Sequence, residues 1–338
     1  MHLSRALKIY AKKVKTPVQI SLLDYYGKNR NKENLLAQSQ FLKEELPIRL
    51  CHRVFDLVKL PYGLPIVPEI KSVIDLYSNS FDRLLEFEKP DNIETVEKFT
   101  DLLEDIKNKH TNLEESIAIG IKSLDNPLID YSIINNELDT FFLSRIGVRT
   151  LISHQIDTVK YNRGIIQNCK INNIIKDAID DSKFISNMTY GDEPNIIMNN
   201  TETTIDYIPG HLHYILLEIL KNSVVSHFIN NNFEHPINVV IGEGKNNIII
   251  KISDNGLGFP FKQIKNVLTY SYSTTPIDNI NEYEITNKPI IAGFGFGLPM
   301  AKIHCRYLGG DLIINPIEGI GTDVFIYISK LGDQQEQF

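Results

Sequence analysis

Three observations predict an α + α/β chain, an N-terminal four-helix bundle followed by an α/β sandwich built on a mixed sheet. Apolar residues recur at spacings of three and four through the first half, whereas the second half alternates short β-like runs with helical segments. Glycine-rich turns cluster only in that second half, between strands and helices.

The chain opens on a basic stretch. Residues 1–23, "MHLSRALKIYAKKVKTPVQISLL", hold no acid but carry Arg5, Lys8, Lys12, Lys13 and Lys15, with Leu3, Leu7, Tyr10 and Val14 on one helical face. An organellar targeting segment and a basic first helix of the folded domain fit these residues equally. Long helical patterns follow in "NKENLLAQSQFLKEELPIRLCHRVFDLVKL" and "VPEIKSVIDLYSNSFDRLLEF", separated by the Pro/Gly-dense "PYGLPIVP". In the second, Ile70, Val73, Ile74, Tyr77, Phe81, Leu84 and Leu85 form the apolar stripe. "TVEKFTDLLEDIKNKHTNLEESIAIGIKSL" and "NELDTFFLSRIGVRTLISHQID" complete a bundle with short connections. The expected division is residues 1–167 for the bundle, 168–331 for the sheet domain and 332–338 for a short tail. In the sheet domain, "NIIMNN", "INVVIGEG", "NNIIIKISD", "DLIINPIEG" and "GTDVFIYISK" read as strands, with helices expected at 211–230, 260–268 and 298–308.

Composition narrows the function. The 338 residues are 42% hydrophobic and 23% charged with a net charge of −7, which argues against general nucleic-acid affinity. No run approaches the roughly 18 apolar residues of a membrane span. Cys51, Cys169 and Cys305 lie far apart without zinc-type spacing, so a reducing compartment fits better than a disulfide framework.

The chemistry lies in five short stretches, each with an ordinary alternative. "AGFGFGLPMAKI" brings Gly293, Gly295 and Gly297 to the start of a helix, where bare N–H groups and the positive helix end favour phosphate. It is neither a Walker loop nor a dinucleotide fingerprint, and by itself it could be a surface loop. In "HLHYILLEILKNSVVSHF", Glu218 and Asn222 stand four apart on one helical face beside Lys221. An amide oxygen suits Mg²⁺ and a carboxylate one turn away suits a general base, although a polar stripe looks the same. "IIIKISDNGLGFP" ends a strand on Asp254, able to accept from an adenine amine, with Gly256 and Gly258 beyond it; a plain Asn-Gly turn is the alternative. "YSYSTTP" supplies Ser273, Thr274 and Thr275, hydroxyls that suit phosphate or simply cap a turn, and "GIGTDVFIYI" places Thr322 at the start of the last strand.

In this order the motifs resemble the Bergerat (GHKL) nucleotide-binding fold. "ELPIRLCHRV", "FFLSRIGVRTLISHQ", "HLHYILLEILKNS", "GFGFGLPMAKIHCRYLGGDL" and "GIGTDVFIYI" extend the resemblance, from about residue 20 to 331, to the mitochondrial α-ketoacid dehydrogenase kinases. These are the pyruvate dehydrogenase kinases and the branched-chain α-ketoacid dehydrogenase kinase. The resemblance implies a protein serine/threonine kinase of the mitochondrial matrix that uses ATP and Mg²⁺ to inactivate the decarboxylase component of such a complex. It implies Glu218 as general base, Lys221 near the phosphates, and Asn222 on Mg²⁺. Asp254 would take the adenine amine, with Gly256, Gly258 and Thr322 beside it. Ser273 and Thr274 with Gly293, Phe294, Gly295, Phe296, Gly297 and Leu298 would wrap the triphosphate. It also implies docking on the lipoyl-bearing acyltransferase through the helical domain, and a homodimer formed through the nucleotide-binding domain.

Departures from the family's pattern are visible. Tyr214 stands where relatives often carry a histidine one turn before the Glu, and Val225 where they often supply an arginine. Asp-Asn-Gly-Leu-Gly replaces Asp-Arg-Gly-Gly-Gly. A short C-terminus, "PIRLCHRV" and "YLGG" lean toward the branched-chain enzyme, whereas the compact "YSYSTTP" leans toward the pyruvate enzymes. His110 raises a second reading, a histidine kinase or phosphotransfer protein. It lacks the usual surround, and a structural role is the better expectation. A third reading is a non-catalytic, ATP-gated scaffold.

Overall fold

The computed structural model describes residues 4–124, 128–199, 202–229, 235–270, 272, 295–330 and 335–336. The chain divides into two compact units, Met1–Ile166 with Gly332–Phe338 and Gln167–Leu331.

The first unit is helical. Its long helices are α3 (Lys32–Val58), α4 (Pro68–Glu86), α5 (Ile93–Lys109) and α7 (Tyr131–Lys160), joined by the shorter α1 (Arg5–Tyr10), α2 (Ile20–Lys28) and α6 (Leu113–Lys122). Local chemistry sets their ends. Asn31 caps α3 by accepting from Asn34 N–H at 2.8 Å, Pro68 begins α4, and Asn92 with Thr95 forms a reciprocal capping box on α5. α3 packs on α4, α5 and α7, and α5 on α7, the arrangement expected of a four-helix bundle. The stripe read from α4 is buried at Ile70, Val73, Ile74, Tyr77, Phe81 and Leu84.

Two polar networks interrupt this apolar core. Gln155 of α7 donates to Ser39 and Thr100, while its carbonyl accepts from Gln38, so three helices are tied through amide and hydroxyl groups. His110 follows α5. Its Nε2 lies 2.9 Å from Ser80 Oγ, its ring stands edge-on to Tyr77, and its carbonyl accepts from Arg145 at 2.6 Å. Burial, with Arg145 and Arg149 adding, pushes its pKa down to about 3. His110 is thus a buried imidazole enclosed by Ser80, Tyr77 and Arg145.

The basic N-terminal stretch is packed here. Leu7 is buried, Tyr10 meets Phe81 edge-on at 5.3 Å, and Thr16 N–H donates to Glu45 at 2.9 Å. Glu336 lies in the segment read from sequence as a short tail, and it is buried: Arg49 donates to both its carboxylate oxygens, to Glu45 and to the Thr16 carbonyl. Val18 N–H donates to the Glu336 carboxylate at 2.9 Å, and Glu336 N–H returns to the Val18 carbonyl at 3.1 Å. One guanidinium thus joins the beginning and the end of the chain to α3.

The second unit is built on a five-stranded mixed sheet of order β2-β4-β5-β7-β6. Its strands are β2 (Ile196–Met198), β4 (Ile237–Glu243), β5 (Asn247–Asp254), β6 (Asp311–Ile317) and β7 (Gly321–Ser329). Only β2 and β4 run parallel. A separate antiparallel pair joins β1 (Gln167–Lys170) to β3 (Thr204–Tyr207). Helices α8 (Ile171–Tyr190), α9 (Pro209–Ile229) and α11 (Gly297–Tyr307) form the second layer, and α10 (Ile264–Val267) is a single turn. Period-2 alternation decides the faces: Val239, Ile241, Ile250, Ile252, Val324 and Ile326 are buried, whereas Ile197, Val240, Ile313 and Ile317 are exposed on the other side. No helix among the described residues is long and apolar enough to cross a membrane.

Removing the Arg49 guanidinium would leave Glu45 and Glu336 buried without their cation. Arg49→Ala is expected to destabilise the helical unit by about 3–5 kcal/mol, read from urea unfolding of the full chain. A loss below about 1 kcal/mol would show that the carboxylates find other partners.

Candidate nucleotide site

α9 carries the polar residues that its apolar pattern set apart. Leu212, Ile215, Leu216, Ile219, Leu220 and Val224 are buried, because the helix is enclosed by α8, α11 and β5. Glu218, Asn222 and Ser226 recur every fourth residue, hence along one edge. Asn222, Ser223, Val225 and Ser226 line a cavity of about 340 Å³ whose opposite walls include Asp254, Gly258, Leu298 and Thr322.

Asp254 ends β5 and faces Thr322 of β7 in the sheet register. It is only 8% exposed. Its Oδ1 accepts from Gly256 N–H at 3.0 Å and from Ser226 Oγ at 3.4 Å, and the Thr322 N–H and Ser223 hydroxyl also donate to the carboxylate. Burial pushes its pKa above the ordinary 3.8 despite these donors.

Glycine is required where the chain meets itself. Gly258 has φ +56°, and a Cβ there would fall 2.3 Å from the Ile317 carbonyl oxygen. Its bareness thus serves the β6–β7 turn as well as the cavity wall. Gly295 has φ +76°, and a Cβ would fall 2.3 Å from the Tyr272 carbonyl oxygen. Phe296 is buried against Tyr270, with ring centroids 5.1 Å apart. Gly295 and Phe296 therefore seat the start of α11, while Leu298 reaches the cavity.

Glu218 and Lys221 form an ion pair of 2.7 Å with both side chains largely buried. The other carboxylate oxygen lies against Gly297, where a Cβ would fall 2.5 Å from it. Asn222 Nδ2 donates to the Glu218 carbonyl at 2.6 Å, which leaves the amide oxygen for a further partner. Ser273, Thr274, Gly293 and Phe294 lie outside the described residues.

The cavity also contains residues that motif reading passed over: Ser223, Ser226, Phe259, Gln263, Ile314 and Val324. Ser226 was accessible in principle through its spacing from Asn222. Ser223 follows Asn222 on α9, Phe259 and Gln263 come from the stretch after β5, and Ile314 and Val324 come from strands distant in sequence. Tyr214, at the position where a histidine was expected, meets the ring of His304 from α11 at 4.6 Å.

Comparison with known proteins yields two family matches and several relatives. Residues 17–176 match the model for mitochondrial branched-chain alpha-ketoacid dehydrogenase kinase. Residues 208–331 match that for histidine kinase-, DNA gyrase B-, and HSP90-like ATPases. The chain is 33% identical to a mitochondrial [pyruvate dehydrogenase (acetyl-transferring)] kinase of Arabidopsis thaliana, over 95% of this chain and 92% of that one. It is 31% identical to isozyme 4 of that mitochondrial kinase from Homo sapiens, over 93% and 80%. To the Schizosaccharomyces pombe enzyme it is 30% identical, over 99% and 98%.

A raised carboxyl pKa favours the protonated form in the folded state. Its stabilising contribution is therefore complete below the ordinary 3.8 and lost as pH rises through the raised value. At neutral pH the buried charge costs stability, and Asp254→Asn is expected to melt higher than the native protein without nucleotide. The difference should shrink as pH falls toward 4, and calorimetry across that range checks the sign.

Proposed function

Because the chain belongs to the mitochondrial α-ketoacid dehydrogenase kinase family, we propose that its 340 Å³ cavity binds ATP for transfer to a serine of a dehydrogenase complex. The observation that carries this reading is the convergence of Asn222, Asp254 and Thr322 on one cavity, with Glu218 beside the first turn of α11.

Asp254 takes the adenine amine at the cavity floor, where the surrounding donors keep its carboxylate oriented. The donor set fits Mg²⁺: the Asn222 amide oxygen stands at the cavity, and this ion prefers phosphates and waters with one or two protein oxygens. Asn222 Oδ1 would be that protein ligand, and bound Mg²⁺ neutralises the phosphate charge. The serine oxygen then bonds to the γ-phosphorus as the bond to the bridging oxygen breaks and ADP departs. Glu218 accepts the hydroxyl proton. The natural substrate is the decarboxylase component of the pyruvate or branched-chain complex, in the mitochondrial matrix. The helical unit docks on the lipoyl-bearing acyltransferase.

The same reading makes the protein a homodimer through the second unit. On one sheet face Val240, Ile313 and Ile317 are exposed among the described residues, and Phe325 and Tyr327 lie half-buried on the same side. Antiparallel sheets with one uncovered apolar face gain by burying it against a copy.

Incubation with Mg-ATP and each purified decarboxylase separately is expected to label one of them with acid-stable phosphate. Acid-labile label on the kinase itself would favour phosphotransfer through histidine, and no label on either substrate would favour the scaffold. Glu218→Gln should slow transfer by about 100- to 10,000-fold. Asp254→Asn should weaken ATP binding roughly ten- to a hundredfold, because a donor then faces the adenine amine. Val240→Glu is expected to sediment as a monomer, and an unchanged dimer would place the interface elsewhere.

A further inference from the structure

The contact between Glu218 and Gly297 bears on how the site is regulated. Gly297 is the first residue of the 11-residue α11, whose N-cap Phe296 makes no side-chain cap and whose first turn holds no acid. A carboxylate from another helix, Glu218 of α9, lies against that positive helix end. Glu218 Oε2 lies where a Gly297 Cβ would be, 2.5 Å from its ideal position, while Oε1 pairs with Lys221 Nζ at 2.7 Å. The next residue, Leu298, lines the cavity, as does Asn222 one turn after Glu218. Glu218 itself does not line the cavity, but residues next to both ends of its contact do, so the carboxylate lies at the cavity's edge and pairs there with Lys221.

We propose that Glu218 is a resident anion at the start of α11, displaced by the incoming triphosphate, which takes both the helix N-terminus and Lys221 from it. The inference rests on the nucleotide reading of the cavity and adds a regulation to it. Two anions cannot share one helix end without repulsion, so part of the triphosphate's interaction energy is spent on the exchange. The exchange also releases the Glu218 carboxylate from its ion pair only when phosphate is present. An empty site keeps its base occupied.

The test compares Mg-ATP with adenosine, which fills the base pocket but carries no phosphate. Glu218→Gln is expected to bind ATP about three- to tenfold more tightly than the native chain, with adenosine affinity unchanged. In a double-mutant cycle, Lys221→Met should cost more ATP affinity in the Glu218→Gln background than alone, because only there is the lysine already free. ATP affinity within twofold of native, with adenosine binding intact, overturns the proposal; additive effects of the two substitutions do the same. If Glu218→Gln loses adenosine binding through misfolding, Glu218→Asp replaces it. That variant keeps the charge but withdraws it by one methylene, and should bind ATP more tightly than native; no gain overturns the proposal. Failure of the native chain to bind either compound defeats the nucleotide reading and this inference together.

Discussion

A carboxylate buried at the end of a central strand is the constraint around which the second unit is organised. Asp254 is held by two main-chain N–H groups and two hydroxyls, and those donors come from the turn after β5, from β7 and from α9. Their convergence requires β5 and β7 to pair in a register that sets Asp254 opposite Thr322. It also requires the turn after Asp254 to lie against the β6–β7 connection, which Gly258 permits. A one-residue slip would send the carboxylate to the other face of the sheet and scatter its donors.

The same logic explains why α9 is apolar nearly all round. It is packed between two helices and the sheet; Asn222, Ser223 and Ser226 lie on the edge that meets the cavity, whereas His213 pairs with Asp181 of α8 and His211 packs on α11. A polar side chain within such a helix is costly unless it has partners, and here each has one. Glu218 has Lys221, Asn222 has a main-chain carbonyl, and Ser226 has Asp254. The helical unit follows a parallel rule: the Gln155 network places directional bonds between helices that apolar packing alone leaves free to slide, and Arg49 ties Thr16 and Glu336 to α3.

Much of this was legible in the residues. The stripe of α4 and the alternation in β5 and β7 are periodic signals produced by burial on one face, and they survive without tertiary context. Glu218, Asn222 and Asp254 stood out because polar residues interrupt apolar patterns there. Phe259, Gln263, Ile314 and Val324 carried no such signal, since a side chain lining a cavity obeys the same alternation as one in a core. Glu336 was equally silent: an acidic residue near a chain end gives no hint of burial, and its partner Arg49 lies 287 positions away.

Order and spacing of motifs along the chain established the two-unit architecture and the family, because helical and strand periodicities are properties of neighbouring residues. The closeness of Glu218 to Gly297, the donors around Asp254 and the pairing of Arg49 with Glu336 were decided only by folding. Each joins residues from separate elements, and their distance depends on how those elements pack, a quantity that no local pattern encodes.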